Sequence, residues 1–141
     1  MSIQQQATIK EVAKEITIGN TCYVNRKSTK IITIDHSIED PEQLAAQEQA
    51  VAELERKIEK YLKIEKLTAG NEMRIRKDFL DELPDKSVRK QLSNALNRKN
   101  PVRNFNQTLK SNMELNQHWR NFKVIEYQRW VSNLMIEAYI Y

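Results

Sequence analysis

The sequence predicts an α+β protein in which a small N-terminal β-hairpin packs on a mainly helical domain of four to five helices; a third short strand is an open alternative. Two observations lead to this class. The 141 residues include only two glycines and three prolines, far fewer turn-forming residues than an all-β chain needs. Apolar residues recur at helical spacing over most of the chain, apart from two β-branched and aromatic runs near the N-terminus. Because domains average roughly 150 residues, we expect one domain spanning residues 1–141.

The N-terminal region, residues 1–35, is expected to hold one helix and the hairpin. Apolar residues at helical spacing predict a short helix from Lys10 to Ile16. Residues 21–25 and 30–34 alternate as strands do, and the four residues between them suit a hairpin turn. Because an isolated hairpin is marginal in water, its apolar face must lie on helices.

An acidic helix is predicted within residues 36–63. Asp40 can cap its N-terminus, and Pro41 is typical of a first helical turn. The apolar stripe that follows is narrow and continues to about Leu62, so a wide polar face is left to solvent. The segment that could form the third strand is residues 64–67.

The helical core is predicted over residues 64–141. Four helices are expected there: Asn71–Leu83, Lys86–Arg98, a helix opened by Asn100-Pro101, and Leu115–Tyr139. Six apolar residues of the last helix fall in one broad sector: Trp119, Phe122, Tyr127, Trp130, Val131 and Leu134. We expect this sector to be core, not the lining of a ligand pocket, because large aromatic side chains dominate core burial.

Charge is strongly segregated along the chain, although the formal net charge is only +4. Residues 35–55 contain seven acids and no base. Residues 86–113, the basic segment, contain seven bases and no acid: Lys86, Arg89, Lys90, Arg98, Lys99, Arg103 and Lys110. Blocks of one sign create a long-range electrostatic field. The sequence leaves open whether the basic segment binds an external anion or pairs with the acidic residues 35–55.

Four residues of the basic segment form the candidate anion or nucleic-acid site: Arg89, Arg98, Lys99 and Arg103. Three of them flank the predicted helix start at Pro101, where unpaired backbone N–H groups attract a phosphate or carboxylate. The alternative is purely structural, with Pro101 starting a helix and Phe105 packing in the core. Arg103 would then pair with a carboxylate of Asp78 or Asp81.

Signatures of catalysis, metal binding and cofactor binding are missing from the sequence. No glycine-rich phosphate loop can be built from Gly19 and Gly70, and no Cys-x-x-Cys, His-Glu-x-x-His or Gly-x-Ser-x-Gly motif occurs. His36 and His118 have no neighbour at metal-ligand spacing. We therefore predict no catalytic residue, no metal and no cofactor, and we lean against an enzyme.

The expected location is the cytoplasm. The single cysteine, Cys22, cannot form an internal disulfide, and the first ten residues lack the apolar core of a secretory signal. No apolar run approaches the ~20 residues that span a bilayer, so we expect no membrane partner.

A motif in the C-terminal half carries a family resemblance. It reads Ala95-Leu96-x-x-Lys99-x-Pro101-x-Arg103-x-Phe105, followed by Trp119-x-x-Phe122 and Tyr127. The motif resembles the core of a bacterial uncharacterised protein family, number 0158, and departs from it at Arg98, Val102 and Asn106. The resemblance implies a bacterial protein with that family's fold, and it implies no activity, cofactor or catalytic residue.

Two function classes follow, and a third is left open. The leading hypothesis is a non-enzymatic binding or protein-interaction module. Its C-terminal helix stays apolar through Ile136–Tyr141 and could meet an unknown protein partner or a second copy. The alternative is a nucleic-acid-binding protein that uses residues 86–113, since clustered bases release counterions from phosphates. The third is an enzyme acting on an anion held at Arg103.

Overall fold

The computed structural model describes residues 2–138, which form six α-helices and a three-stranded antiparallel sheet. The helices are α1 (Ile3–Thr17), α2 (Pro41–Arg56), α3 (Ala69–Glu82), α4 (Lys86–Leu96), α5 (Pro101–Lys110) and α6 (Met113–Glu137). The strands are β1 (Thr21–Asn25), β2 (Ile31–Ile34) and β3 (Tyr61–Ile64). The predicted α+β class is confirmed, including the hairpin and the third strand.

The chain separates into two compact units. The first unit contains residues 2–66 together with the described residues from Tyr127 onward, and the second unit contains Leu67–Glu126. Helix α6 therefore contributes its first part to the second unit and its remainder to the first unit. The prediction of one domain over residues 1–141 stays a prediction.

The sheet of the first unit has the order β2-β1-β3, with β1 in the centre. Cys22 of β1 lies opposite Thr33 of β2 and Ile64 of β3. Residues 21–24 of β1 are all buried, as expected for a central strand covered on both faces. Helix α1 buries an apolar stripe at helical spacing in this unit: Ile9, Val12, Ala13 and Ile16.

Helix α1 begins earlier than the sequence pattern predicts, because Ser2 and Gln5 form a capping box. The Ser2 hydroxyl accepts from the Gln5 backbone N–H (3.1 Å), and the Gln5 side chain accepts from the Ser2 backbone N–H (2.9 Å). The apolar pattern starts later than this cap, so the predicted helix from Lys10 to Ile16 marks only the second half of the observed one.

Helix α2 begins at the predicted cap, where the Asp40 carboxylate accepts from the Gln43 backbone N–H. It ends at Arg56, earlier than the predicted end near Leu62. A single 3-10 turn, Ile58–Lys60, follows and leads into β3. The predicted strand at residues 64–67 is likewise shifted, since Tyr61 to Ile64 form the pairs with β1. Long-range strand pairing thus overrides the local helical pattern.

The second unit packs α3, α4, α5 and the start of α6 around an aromatic cluster. Its fully or nearly fully buried rings are Phe79, Phe105, Trp119 and Phe122. Helix α4 is capped by Asp85, whose carboxylate accepts from the Ser87 and Val88 backbone N–H groups. Helix α3 is capped by Thr68 and not by Asn71, whose own backbone N–H donates to the Thr68 hydroxyl (3.2 Å).

Helix α6 buries apolar side chains along its length: Leu115, Trp119, Phe122, Tyr127, Val131 and Met135. Trp130 and Leu134, predicted in the same buried sector, are only half-buried. The last residues of the predicted apolar end, 139–141, lie outside the described residues. Among residues 2–138, no helix is both long enough and apolar enough to cross a membrane.

Candidate functional site

A polar groove of about 390 Å³ lies between α4 and α5 in the second unit. We call it the α4–α5 groove. Its α4 wall and the turn that follows contribute Gln91, Asn94, Ala95 and Arg98. Its α5 wall and the following residue contribute Asn104, Gln107, Thr108 and Ser111. The lining is therefore made of carboxamides and hydroxyls with one guanidinium, a set that suits a hydrated, anionic ligand more than an apolar one.

Helical spacing explains why these polar side chains share a groove. Gln91, Asn94 and Arg98 are separated by three and four residues, which puts them on one side of α4. The buried Leu92 and Leu96 occupy the opposite side, where they fix α4 in the core of the unit. On α5 the lining residues repeat at the same three-to-four spacing. Each helix thus buries one face and presents the other to the groove.

The turn between α4 and α5 is held by Asn100 and Asn104. Asn100 takes a left-handed conformation (φ 59°, ψ 57°), which asparagine tolerates better than most residues. The Asn104 side chain donates to the Lys99 carbonyl (2.8 Å), and its backbone N–H donates to the Asn100 carbonyl (3.1 Å). Asn100 occupies the predicted cap position, but its side chain makes no cap hydrogen bond. The turn, and not a side-chain cap, therefore fixes Lys99 against the start of α5.

Four groove side chains keep their hydrogen-bonding capacity free. Gln91, Asn94 and Gln107 are exposed, and their carboxamides make no hydrogen bond within the second unit. The Arg98 guanidinium makes neither a hydrogen bond nor an ion pair there. A carboxamide offers donors and an acceptor, and a guanidinium offers donors in a fixed fork. The groove can therefore bind a ligand that carries both hydroxyls and an anionic oxygen.

Of the four residues that the sequence singled out, Arg98 is the one in the groove lining. Arg98 lines the groove, Lys99 follows it in the exposed turn, and Arg103 is exposed in the first turn of α5. Arg89 is half-buried on the side of α4 that carries Leu92, away from the groove lining. Arg89 therefore differs from Arg98 in its position on α4, and its part in an anion or nucleic-acid site stays a prediction.

The structural alternative for this segment holds in part. Helix α5 begins at Pro101, and the Phe105 ring is fully buried, as that alternative predicts. Arg103, however, forms no ion pair with Asp78, Asp81 or any other acid of the second unit. Its charge is thus not consumed by the packing that surrounds it.

Six exposed bases of α4, α5 and their connecting turn form what we call the basic surface: Lys86, Lys90, Arg98, Lys99, Arg103 and Lys110. None of them forms an ion pair within the second unit. Helical spacing puts Lys90 beside Asn94 on α4, and it puts Arg103 and Lys110 beside Gln107 on α5. Lys90 therefore lies next to the α4 wall of the groove, and Arg103 and Lys110 lie next to its α5 wall.

A buried cation in the second unit was missed by the sequence reasoning. Arg76 is 7% exposed, and its guanidinium carbon lies 5.6 Å from the ring centroids of both Phe105 and Trp119. Its Nη1 donates to the Glu72 carbonyl (3.2 Å), while its Nε has no hydrogen-bond partner among the described residues. The sequence pattern that could have revealed it is the three-residue spacing between Arg76 and Phe79, which places Arg76 on the buried face of α3.

Lys123 of α6 is a second partly buried cation of this unit. Burial lowers the pKa of its ammonium group, and the charge of Arg76 lowers it further, while Glu72 acts in the opposite direction. Both cations are thus tied to the interior of the unit, in contrast to the exposed bases of the basic surface.

The cysteine and the two histidines are the side chains most often used in catalysis or metal binding, and the structure shows the surroundings of each. Burial raises the pKa of the Cys22 thiol to about 11, which makes it a poor nucleophile at neutral pH. His36 Nε2 lies 2.9 Å from the Thr21 hydroxyl, and His118 Nε2 lies 3.8 Å from the exposed Glu82 carboxylate. Residues 2–138 contain no group of three or more His, Cys, Asp or Glu side chains that could hold a metal ion.

Comparison with known proteins gives one match. The model of an uncharacterised protein family, UPF0158, matches residues 1–138. Because this match spans nearly the whole chain, the protein belongs to that family, as the motif around Lys99 and Arg103 predicts. No curated protein and no solved structure matches the chain.

Proposed function

We propose that this member of the uncharacterised family UPF0158 is a binding module that contacts the sugar–phosphate backbone of nucleic acid through the basic surface. One observation carries the proposal. Six exposed bases on two adjacent helices and their turn have no ion-pair partner within their unit, and no acid occurs between residues 86 and 113. An unpaired set of this kind is the electrostatic footprint expected of a nucleic-acid-binding surface.

The groove between the bases supports the same proposal. Backbone contacts in protein–nucleic acid complexes come from Arg and Lys, and also from Ser, Thr, Asn and Gln side chains that bond phosphate and sugar oxygens. The α4–α5 groove supplies these polar types, and Arg98 lies at its edge with the turn residue Lys99 beside it. Phosphates along one strand can therefore contact Lys and Arg side chains, while the sugars between those phosphates contact carboxamides and hydroxyls of the groove.

Arg89 is left out of the proposed surface. It is half-buried beside Leu92 on a different side of α4 from Gln91 and Asn94. A contribution of Arg89 would act through the packing of α4 and not through direct phosphate contact.

The proposal is tested by the salt dependence of binding. Affinity for a 20-base-pair duplex is measured by fluorescence anisotropy across a salt series, for the full chain and for the triple variant Arg98→Ala/Lys99→Ala/Arg103→Ala. Loss of three phosphate contacts should reduce the slope of log K against log salt by about 2 to 3. The triple variant Lys10→Ala/Lys14→Ala/Lys27→Ala, at three exposed lysines of the first unit, is the control for the loss of three charges. An unchanged slope in the triple variant, or no binding of the unmodified chain at low salt, would refute the proposal.

A second candidate, a protein-interaction module acting through α6, is favoured by one specific observation. The Ile136 side chain near the end of α6 is 47% exposed, and the same helix carries three further exposed apolar side chains: Met113 (87%), Val124 (52%) and Ile125 (56%). A second copy of the chain is the simplest partner for such a contact. Sedimentation of the full chain and of Ile136→Ser tests it, with Ile18→Ser as the exposed apolar control outside α6. A monomer at every concentration would reject self-association.

The location is also part of the proposal. A chain with one buried cysteine and no disulfide suits a reducing compartment, so we assign it to the bacterial cytoplasm. Fractionation of cells that express the full chain tests this assignment, and recovery in the membrane or secreted fraction would contradict it.

A further inference from the structure

We infer that the nucleic acid bound at the basic surface is double-stranded RNA, an inference that rests on the proposed function and specifies its ligand. Two properties of the second unit lead to it. The unit has no exposed Phe or Trp ring on which unpaired bases could stack, and its groove carries free carboxamides that suit ribose hydroxyls.

The first property concerns the aromatic side chains. The second unit has four Phe and Trp rings, and all are buried in its core: Phe79, Phe105, Trp119 and Phe122. None of them lines the α4–α5 groove. Proteins that bind single strands rely on aromatic platforms for successive bases. A surface of Lys, Arg and carboxamide side chains without such platforms favours a duplex, whose nucleobases are already stacked on each other.

The second property concerns the groove. The carboxamides of Gln91, Asn94 and Gln107 have both donors and acceptors free within the second unit. A 2′-hydroxyl is likewise both donor and acceptor, and it is the group by which proteins distinguish RNA from DNA. In an A-form duplex these hydroxyls lie along a wide, shallow minor groove between the phosphates. Lys and Arg side chains on α4 and α5 can contact those phosphates, while the carboxamides contact the 2′-hydroxyls.

Two sets of side chains thus have different effects on binding: the first sets the affinity for phosphate, and the second sets the preference for RNA over DNA. Arg98, Lys99 and Arg103 supply affinity that depends on salt and not on the sugar. The three carboxamides supply the preference for RNA, because a DNA duplex has no 2′-hydroxyl and therefore offers them fewer hydrogen-bond partners.

The experiment compares three ligands of one sequence: a 20-base-pair RNA duplex, the matching DNA duplex and one strand of the RNA. Affinities of the full chain are measured by fluorescence anisotropy at two salt concentrations. We expect the RNA duplex to bind about tenfold more tightly than the DNA duplex, the effect of a few added hydrogen bonds, and the single strand to bind most weakly.

A triple variant, Gln91→Ala/Asn94→Ala/Gln107→Ala, isolates the carboxamides. It should lower RNA-duplex affinity more than DNA-duplex affinity, so that the two affinities become equal, and it should leave the salt slope unchanged because no charge is removed. All three positions are exposed, so the fold is expected to persist; the single variant Gln107→Leu, with a smaller loss of the same kind, is the second test should the triple variant melt early.

The outcomes separate this inference from the proposed function. Equal affinity for RNA and DNA duplexes, or tighter binding of the single strand, would overturn the inference while salt-dependent backbone binding still stands. A triple variant that keeps the full RNA preference would overturn it as well. Absence of salt-dependent binding to all three ligands would overturn the inference together with the proposed function.

Discussion

The Arg76 guanidinium lies 5.6 Å from the centroid of the Trp119 ring inside the second unit. The same guanidinium carbon is equally distant from the Phe105 centroid, so one cation faces two aromatic rings. This arrangement lets the ring quadrupoles replace part of the lost hydration. The unit therefore uses its cations in two ways: Arg76 holds the aromatic core together, while exposed residues such as Arg98 stay available to a ligand.

Truncation of Arg76 should destabilise the second unit. Arg76→Ala removes two cation–π contacts and leaves a cavity between Phe105 and Trp119, so we expect a loss of about 2 to 4 kcal/mol. Arg76→Met fills the same space without burying an unpaired Nε, and its cost should stay below about 1 kcal/mol. Urea unfolding followed by tryptophan fluorescence and circular dichroism measures both. A loss under ~0.5 kcal/mol for Arg76→Ala would show that the rings do not depend on this cation.

A hydrogen bond in the first unit joins the side chains of Tyr23 in β1 and Glu55 in α2. The Tyr23 hydroxyl donates to the Glu55 carboxylate (2.6 Å), and Lys63 donates to the same oxygen (2.9 Å). Tyr23→Phe removes the first bond and keeps the ring in the core with Ile34 and Leu54, so we expect a loss of about 1 kcal/mol at neutral pH. Chemical unfolding of the two proteins measures the difference.

The acid dependence of that difference gives a second measurement. The Tyr23 hydroxyl and the Lys63 ammonium hold the pKa of Glu55 below its ordinary value. A carboxyl whose pKa is lowered by folding stabilises the protein above its ordinary pKa, and this contribution is lost as the pH falls through the lowered value. The gap between the unmodified protein and Tyr23→Phe should therefore shrink in acid. A gap that stays constant down to the acid transition would contradict the assigned partner.

Local signals account for the parts of the fold that could be predicted. The cap at Asp85 and the proline at Pro101 act within one helical turn, so both helix starts were readable from the sequence. The end of α2 was not readable, because Tyr61 and Leu62 leave the helical pattern in order to pair with Asn25 and Val24 of β1. That pairing joins residues far apart in the chain, and no local pattern encodes it.

In the candidate site, too, some residues could be recognised from the sequence and others could not. Arg98, Lys99 and Arg103 stand out because the basic segment contains no acid. The carboxamides that line the groove, Gln91 and Gln107 among them, carry neither charge nor hydrophobic periodicity, so nothing in the sequence marks them before the two helices are packed.

Burial of Cys22 should make its thiol unreactive in the folded protein. The pKa of the thiol is raised to about 11, chiefly by burial, and the Thr33 hydroxyl 3.9 Å away opposes the rise. At pH 8 the folded chain should react with a thiol reagent at least ~100-fold more slowly than the chain unfolded in urea, because little thiolate forms and access is blocked. Absorbance of the released chromophore follows the reaction. Equal rates in the two states would show that the β1 strand opens readily.

The same raised pKa predicts a loss of stability in alkali. A thiol whose pKa is higher in the folded state stabilises the protein fully below its ordinary pKa of 9.0, and the stabilisation is lost as the pH rises through about 11. Two pKa units correspond to roughly 2 to 3 kcal/mol. Cys22→Ala should show a flatter stability profile between pH 9 and 11 in urea titrations. Identical slopes for the two proteins would assign the alkaline loss to other groups, such as Tyr23, whose pKa burial also raises.

The left-handed conformation of Asn100 predicts how the turn before α5 responds to substitution. A β-branched residue adopts φ near +60° at a cost of about 1 to 2 kcal/mol, so Asn100→Val should lower stability by that amount. Asn100→Gly meets the same backbone without a Cβ and should stay within ~0.5 kcal/mol of the unmodified protein. Thermal and urea unfolding measure both variants. Because Asn104 holds the turn through the Lys99 carbonyl, Asn100→Val should also weaken duplex binding, whereas Asn100→Gly should not. Equal stability of the two variants would mean that the strain at Asn100 is relieved elsewhere in the turn, and equal binding would mean that Lys99 does not need this turn in order to reach phosphate.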